Sequence, residues 1–106
     1  MVEAEKVYEA VEVAKATGKI RKGINETTKA IERGQAKLVV VAKDTNPKEV
    51  IMHISPLCKE KNIAYVEVPS KEDLGAAVGI PVGTSAVAIV VEGEAKKIVE
   101  QIVKGE

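Results

Sequence analysis

The sequence predicts an α/β fold: a three-layer α/β/α sandwich around a central mixed sheet of about four strands. Three observations predict the sandwich. Two short runs, Leu38 to Ala42 and residues 84–91, are almost continuously apolar and rich in Val, as strands covered on both faces must be. Several other segments repeat their apolar residues at helical spacing. The two kinds alternate along the chain, which places helices on both faces of one sheet.

The elements follow in order. Ala4, Val7, Tyr8, Val11 and Ala14 recur at helical spacing with the glutamates mostly on other faces, so the chain opens with an amphipathic helix that Gly18 ends. Lys19 to Lys22 forms a short strand or an extended entry into a second helix. That helix starts near Ile24–Asn25 and stops at Gly34, a residue suited to the left-handed position after a helix. After the strand at Leu38 to Ala42, Pro47 opens a short helical piece reaching about Ile54. Ser55-Pro56 offers a cap and a first-turn proline for a further helix through Asn62. Ala64 to Val68 is a strand. Ser70 and Asp73 form a Ser-x-x-Asp capping box that starts the next helix, and Gly79 closes it. Residues 84–91 make the last strand. Ala95, Ile98, Val99, Ile102 and Val103 line one side of a closing helix.

One hundred and six residues fit one domain, residues 1–106, with a core large enough to need no staples. A lone cysteine, Cys58, rules out an intramolecular disulfide and suits a reducing compartment. The longest apolar run, Ala86 to Val91, is strand-sized, far short of the roughly 20 residues that cross a bilayer. The amino terminus alternates Glu with apolar residues, unlike a signal peptide. The expectation is a cytoplasmic protein that engages no membrane.

Net charge is zero, but its distribution is uneven: −3 over residues 1–14, +5 over residues 15–37 and −2 over the remainder. A local positive field on a neutral protein attracts phosphate without making the whole surface adhesive; the same pattern also describes a solvated basic surface.

On a helix starting at Asn25, Lys29 falls about 40° round the axis, Arg33 about 80° and Glu26 about 100°. Ile24, Thr28 and Ile31 fall on the other side, where they can pack on the sheet. One face thus presents an amide, a carboxylate and two cations beside the positive end of the helix, with Lys22 and the Gly23 N–H just before it. A carboxylate repels phosphate, so Glu26 makes sense only if the ligand also offers donors. Asn pairs with a purine edge as donor and acceptor, Glu accepts from an amino or imino group, and lysines hold the backbone. The other reading is a solvent-facing helix whose Asn and Glu only cap its first turn.

The loop Gly79-Ile80-Pro81-Val82-Gly83 is apolar and bracketed by glycines. It is read either as a turn whose Ile80 and Val82 dip into the core or as a small platform for an unstacked base. Phe and Trp are absent, which argues against RNA modules that stack bases on aromatic rings across a sheet.

The stretch Lys22-Gly23-Ile24-Asn25-Glu26-Thr27-Thr28-Lys29-Ala30-Ile31-Glu32-Arg33-Gly34 resembles the signature of the archaeal kink-turn-binding ribosomal proteins of the L7Ae type, within the L7Ae/L30e-like superfamily. Further blocks follow in the family's order: Ala36-Lys37 with the strand at Leu38 to Ala42, Pro47, Leu57-Cys58-Lys59-Glu60-Lys61-Asn62, and Ser70-Lys71 through Leu74-Gly75. The resemblance runs from Val7 to Gly93. It implies a protein that binds kink-turns, in which tandem sheared G·A pairs and a bulge fold an RNA helix sharply. It also implies that Asn25, Glu26 and Lys29 contact guanine edges and nearby backbone, and that Lys22, Gly23 and Lys71 approach the RNA backbone. Asn46 adds a polar contact, and Ile80, Pro81 and Val82 cover a flipped-out bulge nucleotide. The implied partners are ribosomal RNA, box C/D and H/ACA guide RNAs and ribonuclease P RNA, with ribonucleoprotein core proteins joining once RNA is bound. The free protein is expected to be a monomer, without cofactor or metal. Ile24 stands where the family often has Thr or Ala, Lys43 and Asn46 stand at positions that are often acidic, and Pro81 and Gly83 are unusual in the loop.

Two other classes are weighed. Asp44 after a strand, with Thr84 and Ser85 at another strand's start, loosely resembles a phospho-acceptor receiver domain, but no acidic pair follows the first helix to hold magnesium. His53 has no cysteine or second histidine nearby, so it reads as structural or exposed. Cys58 beside Leu57 reads as packed, not reactive. The chain is therefore not expected to be an enzyme. The third class is a protein-only adaptor docking through the helix at Ala95 to Val103.

Overall fold

The computed structural model describes residues 3–104. In chain order these form α1 (Ala4–Thr17), β1 (Lys19–Lys22), α2 (Ile24–Glu32), β2 (Leu38–Ala42), a 3-10 turn (Lys48–Val50), α3 (Ile54–Glu60), β3 (Ala64–Val68), α4 (Lys71–Ala77), β4 (Ala86–Val91), a second 3-10 turn (Gly93–Ala95) and α5 (Lys96–Val103). The sheet order is β1-β4-β2-β3. β4 runs antiparallel to both its neighbours and β2 runs parallel to β3, so the sheet is mixed, as expected.

The two-residue period of a strand divides the core into two layers. Leu38, Val40 and Ala42 of β2, with Val87 and Ile89 of β4, pack on one side against Val7, Val11 and Ala14 of α1, Leu74 of α4, and Val99 and Ile102 of α5. Val39 and Val41, with Ala86 and Ala88, pack on the other side against Ala30 and Ile31 of α2 and Ile54 and Cys58 of α3. Every residue of β2 is buried, which is why its sequence is apolar throughout and not alternating. The alanines of β4 lie on the α2 side, in the same buried cluster as Ala30 and Ile31.

Four details differ from the sequence reading. The buried stripe of α2 is Thr27, Ala30 and Ile31, with Ile24 and Thr28 at its margins. The segment after Pro47 is a single 3-10 turn and not a helix continuing to Ile54. α3 begins at Ile54, so Ser55 is its second residue and not its cap; the flanking residue is His53, whose side chain makes no cap bond. β4 begins at Ala86, two residues later than expected, and the Thr84 N–H is taken by the Lys71 carbonyl at 3.0 Å. Half of the expected capping box forms: the Ser70 Oγ accepts from the Asp73 N–H at 3.1 Å, but the Ser70 N–H donates to the Tyr8 hydroxyl at 3.3 Å and not to the Asp73 side chain.

Candidate nucleic-acid interface

β1, β2 and β3 all run toward the same end of the sheet, and β4 starts there. Ligand sites of open α/β sheets lie beyond the carboxyl ends of strands. Lys22 pairs with Val87, and Val41 lies between Ala86 and Glu67. The exit of β1, the entry to β4, the exit of β2 and the start of α4 therefore share one rim. With neighbouring strands about 4.8 Å apart, the rim spans roughly 15 Å. All ten residues singled out in the sequence belong to segments that begin, end or pack along it.

Gly23 fixes how α2 leaves this rim. Its N–H donates to the Ala86 carbonyl at 2.8 Å and its carbonyl accepts from the Thr27 N–H at 3.0 Å, tying the first turn of α2 to the start of β4. Its φ is 95°, a conformation that suits glycine, and nothing lies within 4 Å of where a Cβ would sit. The backbone here is open to close approach by another chain.

The helical repeat then decides the rest. Asn25, Glu26 and Lys29 are all exposed, on the opposite side of α2 from Thr27, Ala30 and Ile31. Lys29 Nζ lies 3.6 Å from Glu26 Oε2, and each side chain is about half exposed (56% and 54%). A pair this exposed contributes only about 0–1 kcal/mol, so either partner can be given up to a ligand at little cost. Thr28 Oγ1 donates to the Ile24 carbonyl at 2.7 Å. Its single hydrogen being used there, the His53 Nε2 at 2.9 Å must be the donor to Thr28 Oγ1. His53 is thus exposed and also joins α3 to α2, a contact across 25 residues that nothing in the local sequence announced.

Asn46 is exposed on the loop leaving β2. Buried Thr45 holds that loop by donating from Oγ1 to the Ala42 carbonyl at 2.8 Å. Asp44 Oδ1 accepts from the Lys71 N–H at 2.9 Å, joining the β2 exit to the start of α4. Nothing in the residues around Asp44 foretells this bond. Its engagement here, and a mixed strand order unlike the parallel doubly-wound order of receiver domains, both oppose the phospho-acceptor reading.

The loop before β4 runs back along α4. Ile80 N–H donates to the Gly75 carbonyl at 3.1 Å, and the Thr84 N–H reaches Lys71. Gly75 is buried, and a Cβ there would collide with the Val82 carbonyl oxygen, so this close approach needs glycine. The two readings of the loop are divided between its residues. Ile80 is partly buried against the α1 side of the core, while Pro81 is exposed and Val82 is 66% exposed.

Behind the interface, Cys58 is fully buried and burial pushes its thiol up to about 11, consistent with packing and not with reactivity. Burial, reinforced by a hydrogen bond from its hydroxyl to Glu67 Oε2 at 3.0 Å, also raises the Tyr65 phenol well above its ordinary value. Among the described residues no three His, Cys, Asp or Glu side chains gather as metal ligands, and no helix is long and apolar enough to cross a membrane.

Residues 5–99 match the Ribosomal protein L7Ae/L30e/S12e/Gadd45 family. Among solved structures, the 15.5kD RNA binding protein of Giardia lamblia is 30% identical in sequence and superposes with a TM-score of 0.92 over 99% of this chain and 89% of that one. With a family match over nearly the whole sequence, this chain belongs to the Ribosomal protein L7Ae/L30e/S12e/Gadd45 family.

Proposed function

We propose that this chain is a single-domain RNA-binding protein whose target is the kink-turn, tandem sheared G·A pairs beside a bulge. The observation that carries the reading is the joint exposure of Asn25, Glu26 and Lys29 at the first turn of α2, beside an open Gly23 backbone. Family membership and a similar structure named for RNA binding support it.

In this reading Asn25 and Glu26 meet guanine edges, the amide as donor and acceptor and the carboxylate as acceptor. Lys29, Lys22 and Lys71 neutralise phosphates, and Gly23 lets the RNA backbone come close. Asn46 faces the bulge from the β2 side, with Pro81 and Val82 as its apolar cover and Ile80 as the anchor beneath them. No step of this function requires a cofactor or a chemical reaction. The RNAs that carry such motifs, and that we assign as candidate partners, are large-subunit ribosomal RNA, box C/D and H/ACA guide RNAs and ribonuclease P RNA. Core proteins of those particles join after the RNA, and the protein works as a cytoplasmic monomer until then.

Replacing Asn25 or Glu26 by Ala is expected to weaken kink-turn binding by about 1–3 kcal/mol each, the scale of a good base-edge contact. Filter binding against the kink-turn and against a continuous duplex of the same composition measures this. Equal affinity of the parent protein and both variants for the kink-turn would refute the assignment.

A further inference from the structure

A second concave surface adjoins the rim on the α2–α3 side. It lies between β3 and the segment running from the 3-10 turn into α3, encloses about 430 Å³, and is lined by Lys43, Lys48, Ile51, Met52, Ser55, Tyr65 and Glu67. None of these seven was among the sequence candidates for RNA contact. Two connections tie the cleft to the rim. Lys43 directly follows β2 and Asn46 comes three residues later. His53, next to Met52, bonds to Thr28 on the helix that carries Asn25 and Lys29.

Its chemistry is that of a nucleotide. Ile51, Met52 and the half-buried Tyr65 ring supply apolar and aromatic surface, and Met52 is 65% exposed although large and apolar. Exposed lysines at 43 and 48 bring positive charge suited to a phosphate. Tyr65 donates its hydroxyl hydrogen to Glu67 Oε2 at 3.0 Å, which holds the ring and leaves the second carboxylate oxygen as an acceptor. A carboxylate in the cleft disfavours a bare phosphate but accepts from the amino or imino edge of a base. The volume lies within the range of small-ligand sites.

We propose that this cleft is an additional RNA subsite that takes one unpaired nucleotide from the strand flanking the kink-turn, its base against Tyr65 and Met52 and its phosphate beside Lys43 and Lys48. The inference rests on the kink-turn reading and extends it. It is tested by fluorescence anisotropy with a blunt-ended kink-turn duplex and with the same duplex carrying single-stranded extensions of graded length on either strand. For the parent protein, one of the extensions tightens binding at least about fivefold, the lower end of what stacking one base contributes. Met52→Ser and Lys48→Ala, both at exposed positions, abolish that gain while binding the blunt duplex as the parent does. A photoreactive uridine in the extension crosslinks to Tyr65 or Met52. Binding of the blunt duplex with no gain from any extension, the outcome of a cleft that serves a protein partner instead, overturns the subsite alone. A gain that survives both substitutions overturns it too. Failure to bind either RNA overturns the kink-turn reading and the subsite with it.

Discussion

Thr27 offers the sharpest test of the packing behind the interface. Its side chain is fully buried on the sheet-facing side of α2, and among the described residues its Oγ1 has no hydrogen-bond partner. A hydroxyl stripped of water and left unpaired costs about 1–3 kcal/mol. Valine keeps the shape and the β-branch, so rotamer and helix propensity change little, and the added methyl gains about 0.8 kcal/mol by burial. Some of this is lost where the slightly larger group crowds Ala30 or its neighbours. Thr27→Val should therefore stabilise the fold by about 1–2 kcal/mol, which for a domain near 100 residues raises Tm by roughly 4–16 °C. Urea unfolding with an unchanged m-value, alongside calorimetry, measures it. RNA affinity should not change, because Thr27 lies about 200° round the helix from Asn25. A loss of stability would refute the reasoning, since it would mean that a bound water satisfies Oγ1 and that the hydroxyl contributes to the fold.

Lys29→Ala should lower the slope of log affinity against log salt by about 0.9, one phosphate's worth of released counterions, and an unchanged slope in a salt titration would remove Lys29 from the phosphate role. Gly75→Ala should push the Val82 carbonyl off α4, costing about 1–3 kcal/mol of stability and weakening binding to a bulged kink-turn more than to one without the bulge. Equal losses on the two RNAs would show that the loop does not meet the bulge. Cys58 predicts a pH effect with a definite sign. Its folded pKa is raised to about 11 from an ordinary 9.0, so the folded state holds the proton more tightly. Its stabilising contribution is complete below pH 9 and is lost as pH rises toward 11, by up to about 1.4 kcal/mol per pH unit. Denaturant midpoints across that range should fall more steeply for the parent than for Cys58→Ala; parallel slopes would contradict the assignment.

Local periodicity made much of this molecule legible. The apolar continuity of β2 and β4 announced strands covered on both faces, and the 3.6-residue repeat alone put Asn25, Glu26 and Lys29 together and outward. The Ser70 cap was legible because donor and acceptor lie three residues apart. What escaped the sequence depends on distant pairings. Asp44 bonds to Lys71 across 27 residues, and Gly75 is glycine because of a carbonyl in a loop that passes it later. Strand order was equally hidden: a mixed sheet was expected, but nothing in β4 itself says that it is the strand that enters between β1 and β2 against both. Ser55-Pro56 misled because it looks like a helix start, while the structure begins α3 two residues earlier and caps it with neither.

The common direction of β1, β2 and β3 also defines where the molecule can be handled. Their starting points, the turns around Gln35, Asn62 and Lys19, lie at the far side of the sheet from Asn25 and Lys71, and Gln35 and Asn62 are exposed there. A dye, a surface tether or a short inserted peptide attached at Gln35 or Asn62 would leave the recognition rim uncovered, so single-molecule measurements of RNA folding are best anchored at those two positions.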